Sequence, residues 1–153
     1  MTTIVFSAET QEIACDSRAT GGNGLIVTDE ADKCWEVDGD RWFLAGTISD
    51  MEEFVHAEVG NTLENQLECV AFVIRADGTF WTVYTNEEHR IRTLPLEYTE
   101  GIGSGSDWAV AGIDLGLTTR AAVEYAMTRD CNSGGAVHVY NKDGMIPSDN
   151  SIE

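Results

Sequence analysis

The chain has 153 residues, 42% of them hydrophobic and 24% charged, which fits one domain with a single sizeable core. Its 27 acidic residues against 9 basic ones give a formal net charge of -18, a surface that repels phosphate backbones and argues against nucleic-acid binding. No apolar run approaches the roughly 18 residues of a membrane helix, and the N-terminus lacks the basic-then-apolar pattern of an export signal, so a cytoplasmic protein with no membrane partner is expected.

Ile4 to Ala8 reads as a strand, and Glu12 to Asp16 as its antiparallel partner, with Ile13 and Cys15 on one face. Gly21-Gly22-Asn23-Gly24 is a turn rich in residues that tolerate positive φ, followed by a short apolar piece, Leu25 to Val27. Lys33 to Val37 and Trp42 to Ala45 form a second hairpin about Asp38-Gly39-Asp40. From Ser49 the period changes. Ser49 and Glu52 have capping-box spacing, and Met51, Phe54, Val55 and Val59 recur as on one helix face.

Cys69 to Arg75 and Thr79 to Thr85 make a third hairpin about Asp77-Gly78, with weaker strands at His89 to Leu94 and Leu96 to Ile102. Asp107 to Leu115 and Thr118 to Thr128 read as helices, and Ala136 to Tyr140 as a last strand before a polar tail over 147–153. The order is strands, helix, strands, two helices, strand. Alternating strands with segregated helices argue for an α+β fold with antiparallel sheets buried on one face each. One domain over 1–146 is expected.

The four cysteines, Cys15, Cys34, Cys69 and Cys131, form no C-x-x-C pair and lie in or beside apolar segments, so buried thiols in a reducing compartment are the expectation. There is no P-loop, no H-E-x-x-H and no G-x-S-x-G. His56-Ala57-Glu58 opens a zinc-deaminase pattern that no P-C-x-x-C completes, and His89 and His138 have no partner at ligand spacing; neither metal nor cofactor is expected. Of only two lysines, Lys142 sits in a polar turn, whereas Lys33 opens an apolar strand, where it either snorkels outward or serves a site. Asp16 is a strand-end cap, a partner for Arg18, or part of the same site. Asp130 and Ser133 follow a helix and precede two glycines, where capping and turn formation are their ordinary roles.

Taken together these segments resemble the proteasome β-subunit family, including its bacterial HslV-like branch. The matching pieces run in order: Thr2-Thr3-Ile4-Val5; Ala14-Cys15-Asp16-Ser17-Arg18-Ala19-Thr20; Lys33; Leu44-Ala45-Gly46-Thr47-Ile48-Ser49-Asp50; Ile102-Gly103-Ser104-Gly105-Ser106 with Ala111-Gly112; and Arg129-Asp130 through Ser133-Gly134-Gly135 to Val139. The resemblance implies a four-layer αββα sandwich, the N-terminal nucleophile (Ntn) hydrolase fold. It implies a threonine-type endopeptidase in which Thr2, freed by removal of Met1, attacks with its own α-amine as base. By the same resemblance Lys33 stabilises the alkoxide-like state, Asp16 balances Lys33, Ser104, Asp130 and Ser133 orient the amine, and the Gly46 N–H stabilises the oxyanion. Ala19, Thr20, Ala31, Trp35, Leu44 and Ile48 would line an apolar substrate pocket.

The implied partners are a polypeptide substrate, further copies of the chain in a homo-oligomeric chamber, and an ATP-dependent unfoldase. Ser49 to Gln66 leaves room for one helix where the family has two, so a ring or a reduced assembly is expected. If Met1 stays, the base is lost, and the rival reading is a non-catalytic structural or assembly protein that keeps the fold. An Ntn amidohydrolase of small amides is a third reading.

Overall fold

The computed structural model describes residues 2–148; Met1, and residues 149–153 of the expected tail, lie outside the described residues. In chain order the elements are β1 (Ile4–Ser7), β2 (Glu12–Cys15), β3 (Ala19–Thr20), β4 (Ile26–Thr28), β5 (Cys34–Val37), β6 (Asp40–Gly46), α1 (Ile48–His56), β7 (Cys69–Ile74), β8 (Phe80–Thr85), β9 (Ile91–Pro95), β10 (Glu100–Ile102), α2 (Ser106–Asp114), α3 (Thr119–Arg129), β11 (His138–Asn141) and β12 (Gly144–Ile146). Two five-stranded sheets form, ordered β10-β1-β2-β11-β12 and β5-β6-β7-β8-β9, with β3-β4 as a separate pair. All their strand pairings are antiparallel.

The period-two alternation of side chains builds the layers. On β1 and β2, Ile4, Phe6, Ile13 and Cys15 point toward Phe43, Ala45, Phe72 and Ile74 of β6 and β7, and this apolar slab joins the two sheets. The intervening Val5 and Ala14 face the other way, against Ala109 of α2 and Ala122, Val123 and Ala126 of α3. On the far side of the second sheet, Leu44, Ala71 and Val73 meet Met51, Phe54 and Val55 of α1. The result is helix pair, sheet, sheet, helix: the expected αββα sandwich. Phe6, Phe43, Phe54 and Phe72 are all fully buried, each stabilising the fold by about 1.5–3 kcal/mol through removal from water. The small faces of α2 and α3 allow close approach. A Cβ on Gly112 would stand 3.1 Å from Leu117 and 3.4 Å from Ala122.

Several local details differ from the sequence reading. The helix expected to be capped at Ser49 begins two residues earlier, with Thr47 as N-cap and no side-chain cap bond. Strand β6 runs straight to Gly46, so the helix starts where the strand stops, and Ser49 and Glu52 fall inside it. Thr47 Oγ1 donates to Glu68 Oε2 at 3.3 Å instead. Helix α1 ends at His56, so Val59 lies beyond it and is 52% exposed. One helix occupies this crossover, as the length of the segment dictated.

The hairpin at Lys142 carries a further strand, β12, and Ala19–Thr20 pairs with Ile26–Thr28. Cys15 and Cys69 are buried and Cys34 is half-buried, but Cys131 is exposed, against expectation. It sits just past Asp130, the C-cap of α3, in the turn that carries the chain toward Ser133.

Candidate active site

Thr2 immediately precedes β1 and is 3% exposed, at the lip of the inter-sheet slab. Antiparallel pairing of β1 with β2 brings the end of β2 to this point, and Asp16 N donates to Thr3 O at 3.1 Å. Asp16 is completely buried. Its Oδ1 accepts from Thr3 N at 3.1 Å, and its Oδ2 accepts from Gly134 N at 3.0 Å and Arg18 N at 3.2 Å. A buried carboxylate with three backbone donors is fixed in position.

Lys33, just before β5, reaches in from the second sheet. Its Nζ lies 3.6 Å from Asp16 Oδ1 and donates to Thr2 Oγ1. Burial pulls the Lys33 ammonium below the usual lysine range, and the Asp16 carboxylate opposes that pull. The pair therefore places a cation on the Thr2 hydroxyl oxygen, where negative charge would develop if its proton left.

The Thr2 nitrogen is held from the opposite side. Strand β10 pairs with β1, Ile102 facing Ile4, so the chain leaving β10 must pass Thr2. It does so through Gly103, at φ 95°, where an added Cβ would stand 2.1 Å from Thr2 O. That approach delivers Ser104, whose Oγ accepts from Thr2 N at 3.3 Å and donates to Asp130 Oδ2 at 2.6 Å. Ser133 Oγ donates to the same Oδ2 at 2.6 Å. Burial pushes the Asp130 carboxyl up, but the two hydroxyls and the Asn132 N–H outweigh it and hold the group below the usual carboxylate range.

A cavity of about 890 Å³ opens in front of Thr2 and Lys33. Ala19, Thr20, Ala31, Trp35, Leu44 and Ile48, the expected pocket residues, all line it. Sequence reasoning did not single out Asp32, Thr47, Met51, Glu68 or Asn132, which line it too. Gly46 stands on its wall at φ 130°, and a Cβ there would fall 1.9 Å from Glu68 O, so no side chain fits. Leu44 N donates to Lys33 O at 3.1 Å. By strand alternation the Gly46 N–H points to that same side, past the start of β5 and into the cavity.

Arg18 fastens the surrounding loops. Its Nε and Nη2 donate to Asp29 at 2.7 and 3.1 Å, and its Nη1 donates to Cys131 O at 3.0 Å. The Arg18 guanidinium thus spends its hydrogen bonds on Asp29 and Cys131, while from Arg18 Asp16 accepts only the backbone N–H. All seven expected catalytic positions, Thr2, Asp16, Lys33, Gly46, Ser104, Asp130 and Ser133, converge on one end of the sandwich. Thr3, which sequence reasoning passed over, is buried among them, with Oγ1 2.6 Å from Ser133 Oγ.

The fold is the Ntn-hydrolase sandwich, and solved structures share it. Eukaryotic HslV from Trypanosoma brucei superposes with a TM-score of 0.65 at 19% identity, covering 90% of this chain and 97% of its own. Thiobacillus denitrificans BPH in complex with epoxomicin gives 0.68 at 15% identity, covering 95% and 100%. A second structure of Thiobacillus denitrificans BPH gives 0.64 at 16%, covering 96% and 99%. At such identities the likeness defines the fold and leaves function to the site. No protein-family model and no curated protein matches the chain. No described helix is long and apolar enough to cross a membrane.

Proposed function

We propose that the chain is a shortened member of the proteasome β-subunit and HslV-like family, a cytoplasmic threonine-type endopeptidase active once Met1 is removed. The observation that carries the reading is the Lys33 ammonium on the Thr2 hydroxyl at the mouth of the cavity, with Asp16 behind it. Removal of Met1 converts the Thr2 nitrogen into an α-amine, whose reference pKa of ~7.7–8.0 suits a base near neutral pH. Ser104 has committed its proton to Asp130, so it accepts an N–H from the amine and leaves the lone pair for the Thr2 hydroxyl.

The amine takes the hydroxyl proton as Oγ1 attacks the peptide carbonyl carbon. The carbonyl oxygen becomes the oxyanion, facing the Gly46 N–H; such a donor contributes ~3 kcal/mol in comparable sites. Collapse breaks the C–N bond, and the ammonium returns the proton to the leaving amine. Water, deprotonated by the same amine, then hydrolyses the ester on Thr2 and restores the hydroxyl. No cofactor enters. The apolar wall of Ala31, Trp35 and Leu44 favours a hydrophobic residue before the scissile bond. Unfolded polypeptide, delivered by an ATP-dependent unfoldase to a homo-oligomeric compartment, is the substrate this reading implies.

Intact mass before and after epoxomicin, the ligand of the Thiobacillus denitrificans BPH structure, tests it. The expected result is a chain lacking Met1 that gains one adduct, and a Thr2→Ala variant that gains none. A chain that retains Met1 and gains no adduct in any oligomeric state would establish the scaffold reading instead.

A further inference from the structure

Thr3 takes no part in the reaction above, yet its side chain closes the hydrogen-bonded chain around the nucleophile. It is completely buried, and the fold makes room for its hydroxyl: a Cβ on Gly105 would stand 1.9 Å from Thr3 Oγ1. The direction of each bond follows from proton counting. A carboxylate only accepts, so Ser104 and Ser133 both donate to Asp130 Oδ2. Ser133 then has no proton left to give, and the 2.6 Å contact must run from Thr3 Oγ1 to Ser133 Oγ. The chain is thus Thr3 to Ser133 to Asp130, met from the other side by Thr2 N to Ser104 to Asp130.

We propose that Thr3 is a positioning residue of the peptidase, its hydroxyl locking Ser133 so that Asp130 and Ser104 hold the Thr2 amine in one orientation. The proposal rests on the peptidase reading. Its physical content is twofold. A Ser133 hydroxyl pinned by a donor cannot rotate away from Asp130. A carboxylate with both hydroxyl donors in place also carries a more dispersed charge, and pulls less on the proton of the amine. The charged groups around that amine are Asp130 behind Ser104, from the end of α3, Lys33 from the approach to β5, and Asp16 from the end of β2.

The test is steady-state peptide hydrolysis across pH by the chain lacking Met1, as confirmed by intact mass, and two variants of it. Thr3→Val keeps the shape and the β-branching of the strand but removes the donor; Thr3→Ser keeps the donor. The expected result for Thr3→Val is a fall of about tenfold in kcat with KM within about twofold. The acidic limb of its pH profile moves upward, since the amine then holds its proton more tightly. Thr3→Ser restores both. Gly105→Ala displaces the same hydroxyl from the opposite side and carries the test if Thr3→Val does not fold.

Wild-type kcat and an unmoved acidic limb in Thr3→Val, or a Thr3→Ser as impaired as Thr3→Val, would overturn the role. Failure of the peptidase reading shows itself separately, as absence of epoxomicin labelling in the wild-type chain.

Discussion

On the side of the first sheet, β10-β1-β2-β11-β12, Thr3 and Asp16 are 0% exposed and Ser133 is 1% exposed, beneath a cover of two helices. On the side of the second sheet, one nine-residue helix covers the outer face, Gly46 is open, and Ile48 is 63% exposed at the cavity. The first half is over-determined: two carboxylates, Asp16 and Asp130, gather backbone and hydroxyl donors around a single dipeptide. The second half supplies one cation and an accessible wall. On the peptidase reading proposed above, reacting atoms need fixed geometry, whereas a wall that receives varied polypeptides needs access. The division of labour follows the sheets, with Lys33 as the link across them.

Asp16→Ala breaks the rigid half most severely. It removes the carboxylate facing Lys33 and the acceptor of three backbone N–H groups, so a loss of about 3–5 kcal/mol is expected in urea unfolding, together with activity. A loss under about 1 kcal/mol, the size of a surface pair, would mean that this half is not held by its buried charge.

The Asp130 carboxyl titrates lower in the folded chain than its reference of 3.8. Its contribution to stability is therefore complete above that pH and is lost as pH falls through the lower folded value. Urea midpoints measured above pH 3.8 and again in more acid buffer should fall further for wild type than for Asp130→Asn. Equal falls would place the acid sensitivity elsewhere. Ile48→Ser, on the open half, is expected to move stability by no more than about 0.5 kcal/mol. It should change only the preferred residue before the cleaved bond, read with a peptide library; an unchanged preference would remove Ile48 from substrate contact.

The hairpins of the sandwich were legible, but the sheets expected to be buried on one face each are buried on both along β1, β2, β6 and β7. Ile4-Val5-Phe6 and Trp42-Phe43-Leu44-Ala45 show apolar residues on both parities, and the structure explains why: one parity faces the other sheet and the other a helix. Two- and three-residue strands such as β3, β4 and β12 give no period, and their pairing is decided by neighbours distant in sequence. Ser49 with Glu52 satisfied the capping pattern, but the continuity of β6 into α1 outweighed it.

Judged singly, each site residue has an ordinary explanation; a strand-opening lysine and a turn serine carry little information. It was their order along the chain, and its resemblance to one family, that singled them out. Thr3 escaped because a threonine next to a β-strand already has sufficient reason in β-propensity. Only the proton count in the folded state shows that its hydroxyl is spoken for.

The hydrogen bond from Thr2 to Ser104 spans 102 residues, and that from Thr3 to Ser133 spans 130. The residues that lead into β1 are thus gripped by residues more than a hundred positions later in the chain. Lys33 and Asp16 are synthesised early, but Asp130 and Ser133 arrive only with the end of α3, just ahead of β11, which docks on β2. Closing so long a loop is slow compared with forming the local hairpins. A growing chain therefore carries Thr2 and Thr3 unpositioned until the segment after α3 has been made, and the arrangement around them forms only when that segment folds back onto β1 and β2.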